Sequence, residues 1–432
     1  MEEDIIDKEV IEEVGGEDVE GTEVGRRSFL RQSGLTVAGV VGGSTLLAAC
    51  ASATDGAASG DADSGTPGPE ETGDGDGDGD GAETDAPVQL NAQDLDPVEW
   101  DMTTSWPAGL TTLQGSEDNN SGALSFARNV GMLTGGLFTI NTFQAGDLAG
   151  GLEVIDVIQA GAVQAGHTAS YFFRGLGEPW AFETAVPFGL TFRQQASWLW
   201  EGGGMELLRD YYARNFNLIN FPAGNTGVQM GGFFNREINS LDDLQGLTMR
   251  IPGLGGAVMA ELGVNAQVLA AGDIAQALQT GAIDAAEFVG PFDDNNLGLG
   301  EAGDFYYFPG WWEPGATLSV FVDLDQYNDL PPSFQQALDI AGRLSYQSTM
   351  GFYDQVQPGA LQSLIDGGTQ LREFPDDVME AARSTTESLL DGFADADPEF
   401  ATILGPWREY RDSVGAWHGT AELSMLRALA GQ

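Results

Sequence analysis

The chain has 432 residues, with 66 acidic against 17 basic side chains and a formal net charge of −49; this is length enough for two or more domains, and the sign of the charge excludes a nucleic-acid role resting on phosphate neutralisation. Only Lys8 is a lysine, and every other basic residue is an arginine. Self-repulsion on this scale loosens a compact domain in dilute buffer, where screening reaches about 10 Å, but is quenched in molar salt, where it reaches about 3 Å, so the surface reads as adapted to high salt.

Residues 1–50 read as a twin-arginine lipoprotein signal. An acidic leader ends in Arg26, Arg27, Ser28, Phe29, Leu30 and Arg31, and an apolar stretch runs from Leu35 through Leu47. That stretch is too short for a stable membrane span. Leu46, Leu47, Ala48, Ala49 and Cys50 resemble a lipobox, so Cys50, the only cysteine, is expected as the lipidated first residue of a mature chain anchored on the outer face of the cell membrane. Residues 51–96 are rich in Ala, Ser, Gly, Asp, Thr and Pro, with Gly and Asp alternating from Gly73 to Gly81. Such a segment cannot bury apolar surface and predicts a disordered acidic linker. Its repeat lacks the closing glutamate of an EF-hand loop, which favours spacer over calcium site.

From Val98 onward the pattern becomes that of a folded domain. Strands are predicted at Val98–Met102, Leu137–Phe143, Leu218–Phe221, Leu247–Ile251 and Ser319–Val322, with helices at Gly150–Gly161, Gln194–Asn215, Gly256–Leu262 and Ile274–Thr280. Alternation of this kind predicts an α/β fold with largely parallel sheets. The last hundred residues read as consecutive helices, Pro332–Gln355, Leu361–Gly368, Asp376–Asp391 and Pro398–Arg427.

Catalytic signatures are missing from the sequence. It holds no G-x-S-x-G, H-E-x-x-H or P-loop, and His167 and His418 are its two histidines, so few general bases titrate near neutrality. His167 reads as a satisfied loop histidine. Gly253, Leu254, Gly255 and Gly256 follow a strand and open a helix but lack the third glycine of a dinucleotide loop. What this turn offers instead is an anion site. Arg250 ends the predicted strand just before it, where a guanidinium can grip a carboxylate in two parallel hydrogen bonds and a helix N-terminus adds favour.

The segments around Arg250 carry a resemblance. FPAGNTGVQMGGFFNREINSLDDLQGLTMRIPGLGG (Phe221–Gly256), LQTGAIDAAEFVGP (Leu278–Pro291) and YYFPGWWEPG (Tyr306–Gly315), with TSWP (Thr104–Pro107) and AVPFGLT (Ala185–Thr191), resemble the DctP-type solute receptors of TRAP transporters, in the branch that binds 2-oxo and 2-hydroxy monocarboxylates with a cation. The likeness runs from about Trp100 to Phe352. It implies that Arg250 forms the salt bridge to the substrate carboxylate and that Gln229 helps to hold ligand and cation. Glu287, the Phe288 carbonyl and Glu313 are then cation or substrate contacts, and oxygen donors of these kinds suit sodium or calcium, which would bridge to the ligand carboxylate. Phe288 stands where close relatives of the family have tryptophan, and Trp312 stands beside Trp311. Asn225, Tyr171 and Trp311 are further candidates for the substrate wall, with core packing an equal expectation for Tyr171, Trp106 and Trp311.

The resemblance implies a two-lobed, periplasmic-binding-protein-like receptor with a hinged cleft and a helical C-terminal region. Its expected lobes are residues 97–221 with about 290–325, and 222–289 with about 326–432. The expected partners are a small carboxylate such as pyruvate or lactate, the TRAP membrane subunits and the membrane itself through the lipid anchor; the chain is either a monomer or a homodimer. The competing readings are a secreted halophilic enzyme acting on a carboxylate and a ligand-binding sensor.

Overall fold

The computed structural model describes residues 95–431. The twin-arginine signal, Cys50 and the Gly/Asp spacer up to position 94 lie outside the described residues. Eleven strands are described: β1 (Val98–Thr104), β2 (Phe138–Phe143), β3 (Ala165–Thr168), β4 (Leu218–Asn225), β5 (Gly232–Phe234), β6 (Thr248–Arg250), β7 (Asn265–Gln267), β8 (Ala285–Ala286), β9 (Phe305–Phe308), β10 (Thr317–Asp323) and β11 (Gln370–Glu373). They form two sheets, ordered β2-β1-β3-β10-β4 and β11-β9-β5-β8-β6-β7, each covered by helices. The α/β class and the two lobes expected from the sequence are present.

The sheets are mixed rather than largely parallel. β10 runs antiparallel to both β3 and β4, and β5 runs antiparallel to both β8 and β9. These are the two strands that arrive directly from the other lobe. A strand entering from the cleft begins where its parallel neighbours end, so it can only run the opposite way.

The expected lobe boundaries need correcting. β4 continues to Asn225, and Phe305–Phe308 belongs to the second sheet although residues 290–325 were assigned to the first lobe. Nor does the tail from 326 belong to one lobe. Helix Pro332–Asp366 packs Phe334, Leu338 and Ala341 among Phe126, Phe221 and Val320 of the first lobe, and Tyr353 and Leu364 among Phe233 and Tyr306 of the second. Helix Asp376–Ala396 sets Val378 and Ala382 against Met249 and Val258, whereas helix Pro398–Thr420 sets Phe400 and Trp407 against Phe182 and Trp198.

Local chemistry explains two further departures. The single helix expected at Gln194–Asn215 is two, Phe192–Glu201 and Gly204–Phe216. Gly203 between them has φ +83°, and a Cβ on Gly204 would sit 2.7 Å from the Trp198 ring, so the chain turns where only glycine fits. Conversely, the break expected between Gln355 and Leu361 is absent, because Pro358 is accommodated inside one helix. Pro358 and Asp354 are both exposed, which leaves the carbonyl deprived of its donor open to water.

Candidate functional site

Arg250 is the last residue of β6, Glu287 the first beyond β8, and the two strands are parallel neighbours with Arg250 opposite Ala286. Their side chains therefore meet where both strands end, at the mouth of the cleft. Arg250 Nη1 donates to the Glu287 carbonyl at 2.8 Å and to Glu287 Oε1, and Nε donates to the Leu269 carbonyl at 3.3 Å. Arg250 Nη2 has no hydrogen-bond partner among the described residues. The pair is dry: the arginine side chain is 1% exposed and the glutamate 0%. The Phe288 ring stands beneath, its centroid 5.6 Å from the guanidinium carbon.

Two straps cross between the sheets beside this pair, residues 226–231 after β4 and 309–316 before β10, and they hydrogen-bond to each other. Gln229 N–H donates to the Glu313 carbonyl at 3.1 Å and Gly310 N–H to the Gln229 carbonyl at 2.9 Å. The straps thus deliver Gln229 and Glu313, both buried, to the same point. From the first lobe, Tyr171 O–H donates to Glu313 Oε2 at 3.3 Å, while Gln229 Nε2 donates to Thr226 Oγ1 at 3.1 Å.

Electrostatics make the cluster short of positive charge. Burial raises the Glu287 carboxyl above its ordinary range, opposed by the Arg250 guanidinium and the Trp312 indole. Burial raises Glu313 well above its range too, reinforced by the Glu287 charge and opposed by Arg250, Tyr171 and Gln229. One guanidinium faces two carboxylates. Among the described residues, Glu287 Oε2 and Gln229 Oε1 are moreover buried without a hydrogen-bond partner, and no backbone N–H is paired with the Phe288 carbonyl. Buried oxygens are almost always partnered, and an unmade bond costs about 1–3 kcal/mol. Two carboxylates, an amide oxygen and a carbonyl, with surplus negative charge, fit a hard cation.

The structure brings together Arg250, Glu287, Phe288, Gln229, Glu313 and Tyr171. Asn225 and Trp311 it employs elsewhere. Asn225 Nδ2 donates to the Gly315 carbonyl at 3.0 Å and to Tyr346 Oη at 2.9 Å, while Oδ1 accepts from Gly227 N–H at 2.8 Å, so its amide is consumed in fastening the straps. Trp311 stacks on Phe188 at 5.1 Å inside the second-lobe core. Trp312, which the sequence did not single out from its neighbour as a ligand contact, is the indole that faces Glu287; adjacent tryptophans give no pattern that separates the two. Thr226 was missed as well. Trp106 donates to His167 Nδ1 at 2.7 Å, and burial pushes His167 down to about 3, leaving a neutral structural pair. An open cavity of about 1070 Å³ behind the first strap is lined by Thr226, Val228 and Met230 and holds none of the six residues brought together at Arg250.

The sequence pattern of DctP, described as bacterial extracellular solute-binding protein, family 7, matches residues 112–397. The chain belongs to the DctP family. A relative, the monocarboxylate 2-oxoacid-binding periplasmic protein of Nostoc sp., is 47% identical over 327 residues, 76% of this chain and 88% of that protein. Among solved structures, a TRAP transporter solute binding protein from Bordetella bronchiseptica, a mixed-occupancy dimer with copurified calcium and picolinate, superposes with a TM-score of 0.75 at 36% identity, covering 78% of this chain and 98% of its own. A TRAP periplasmic solute binding protein from Pseudoalteromonas atlantica with bound sodium and pyruvate gives a TM-score of 0.72 at 34% identity, covering 77% and 99%.

Proposed function

We propose that this chain is the extracytoplasmic receptor of a TRAP transporter, capturing a small 2-oxo or 2-hydroxy monocarboxylate such as pyruvate or lactate together with sodium or calcium, and delivering it to the membrane subunits. The observation that carries this reading is that buried Arg250 has its Nη2 unused among the described residues, beside two carboxylates, with one Glu287 oxygen and the Gln229 amide oxygen left unpartnered. Nη2 would donate to the ligand carboxylate, since Nη1 and Nε are already committed. Glu287, Glu313, the Gln229 amide oxygen and the Phe288 carbonyl would hold the cation, which when bound supplies positive charge to both the protein carboxylates and the ligand. Tyr171 and Phe288 would enclose the guest and exclude water.

Ligand contacts come from the straps, the second lobe and Tyr171 of the first, so a bound guest favours the closed arrangement of the lobes. We assign to the outlying segments an export signal with lipidation at Cys50 and an acidic tether, and to the folded surface an adaptation to high salt. Calorimetric titration in molar KCl with pyruvate, lactate and longer oxo-acids, each with and without calcium or sodium, tests the reading. Saturable one-to-one heats that need the cation are expected; no heat with any carboxylate would overturn it.

A further inference from the structure

We infer that Arg174 is a clasp across the cleft that sets how long a captured ligand stays without touching it, an inference that rests on the receptor reading above. Ser170–Leu176 is a 3₁₀ segment of the first lobe following β3, and Tyr171 and Arg174, three residues apart, fall on one side of it. Both meet the turn that Arg250 introduces. The Tyr171 side chain lies against Gly253, where φ is +67° and a Cβ would come within 3.1 Å of Cδ1 and 3.2 Å of Cγ. Arg174 Nη1 donates to the Gly253 carbonyl at 2.5 Å. Gly253 opens the helix Gly253–Glu261 three residues after Arg250, so this bond ties the first lobe to the turn that follows the ligand-gripping guanidinium.

The clasp is preset from its own side. Arg174 Nε and Nη2 donate to Glu178 Oε2 at 2.8 and 2.6 Å, and its guanidinium carbon lies 5.7 Å from the centroid of Phe393, at the far end of its helix, where that helix packs into the first-lobe core beside Phe400. Glu178 belongs to the same lobe as Arg174, so that ion pair survives when the lobes part, whereas the bond to Gly253 does not. Unlike Arg250, the Arg174 side chain keeps 19% exposure and Glu178 29%. The guanidinium can therefore be rehydrated as the contact breaks, which makes it a reversible fastening rather than a buried structural ion pair. A contact formed only in the closed state slows opening and leaves encounter with the open state alone, so it acts on koff.

Stopped-flow tryptophan fluorescence with pyruvate and calcium in molar KCl tests this on four proteins: wild type, Arg174→Gln, Glu178→Gln, and Arg214→Gln as a control whose ion pairs lie on the surface. Loss of a hydrogen bond from a charged donor should raise koff of Arg174→Gln on the order of tenfold with kon within about twofold. Glu178→Gln should raise koff by a smaller factor, and Arg214→Gln should match wild type. A merely structural role would lower the active fraction while leaving koff of the folded molecules unchanged, and that result overturns the clasp. Should wild type retain no 2-oxo or 2-hydroxy acid, the receptor reading fails on its own; the clasp is then judged by small-angle scattering of the ligand-free proteins, where a larger radius of gyration for Arg174→Gln supports it and equal radii sink it.

Discussion

Arg250 and Glu287 hold each other from the ends of adjacent parallel strands, the guanidinium taking both the carbonyl and the carboxylate of one residue, and both side chains are sealed from solvent. Removing either charge strands the other in a dry site, at about 3–5 kcal/mol. Arg250→Lys avoids that by keeping the charge while losing the planar fork. It should fold, and should bind pyruvate about 10- to 100-fold more weakly, the loss of one or two charge-assisted bonds. Titration calorimetry on a variant whose melting temperature matches wild type is the check; unchanged affinity would remove Arg250 from the site.

Charge counting bears on the cation. With Arg250 against Glu287 and Glu313, both ionised once a cation replaces the proton that burial favours on them, a monocarboxylate guest and a monovalent ion leave one negative charge enclosed, whereas a divalent ion leaves none. Calcium should therefore support tighter pyruvate binding than sodium at equal concentration, and chelation should weaken binding in sodium-free buffer. Glu313→Gln should narrow the preference, because the neutral amide restores balance for the monovalent ion. Parallel titrations in the two salts read this directly.

Two buried aspartates behind the site give a pH dependence. Asp293 accepts from Thr112 Oγ1 and from Tyr353 O–H at 2.5 Å, and Asp294 from Tyr306 O–H at 2.5 Å and Val289 N–H at 3.1 Å. Burial, opposed by those hydroxyls, raises Asp293 to about 6 and Asp294 to about 7. Each native pKa lies above its unfolded value, near 4, so the native state binds more protons between the two. Their contribution to stability is then complete below about pH 4 and is lost as pH rises through 6 to 7. Asp294→Asn should gain on wild type in melting temperature across that window; a difference independent of pH would refute the assignment.

Salt and anchoring can be tested on the intact chain. The melting temperature should climb with KCl from about 0.1 M to molar concentrations as screening shortens. Cys50→Ala, expressed in a host with twin-arginine export, should leave the cell surface and appear in the medium, and recovery of that variant in the membrane fraction would count against the lipid anchor.

Several parts of this arrangement were legible in the sequence because they are local. Arg250 closes a short apolar strand before a glycine-rich turn, which marks the carboxyl end of a sheet without knowledge of the partner strand. Glu287 between Ala286 and Phe288 is a carboxylate in an apolar run, and such a residue calls for a partner. What could not be read depends on long-range register. β3 and β8 are four and two residues long and buried throughout, so they show no alternation. Asn225 and Trp311 looked like cleft residues by chemical type, yet the first is spent on strap geometry and the second on core stacking. The lobe boundaries failed for a similar reason, since a 35-residue helix that serves both lobes carries no mark in its own periodicity.

The straps have a mechanical consequence. Gln229 and Glu313 lie on two of the connections between the halves, the third being the long helix Pro332–Asp366, so whatever they grip is held by the axle as well as by the jaws. Parting the halves alone would leave a guest still seated on that axle. Unloading such a receptor is then a matter of twisting the connections out of register with each other, and a membrane partner that pries at the rim without wringing the centre would find its cargo still in place.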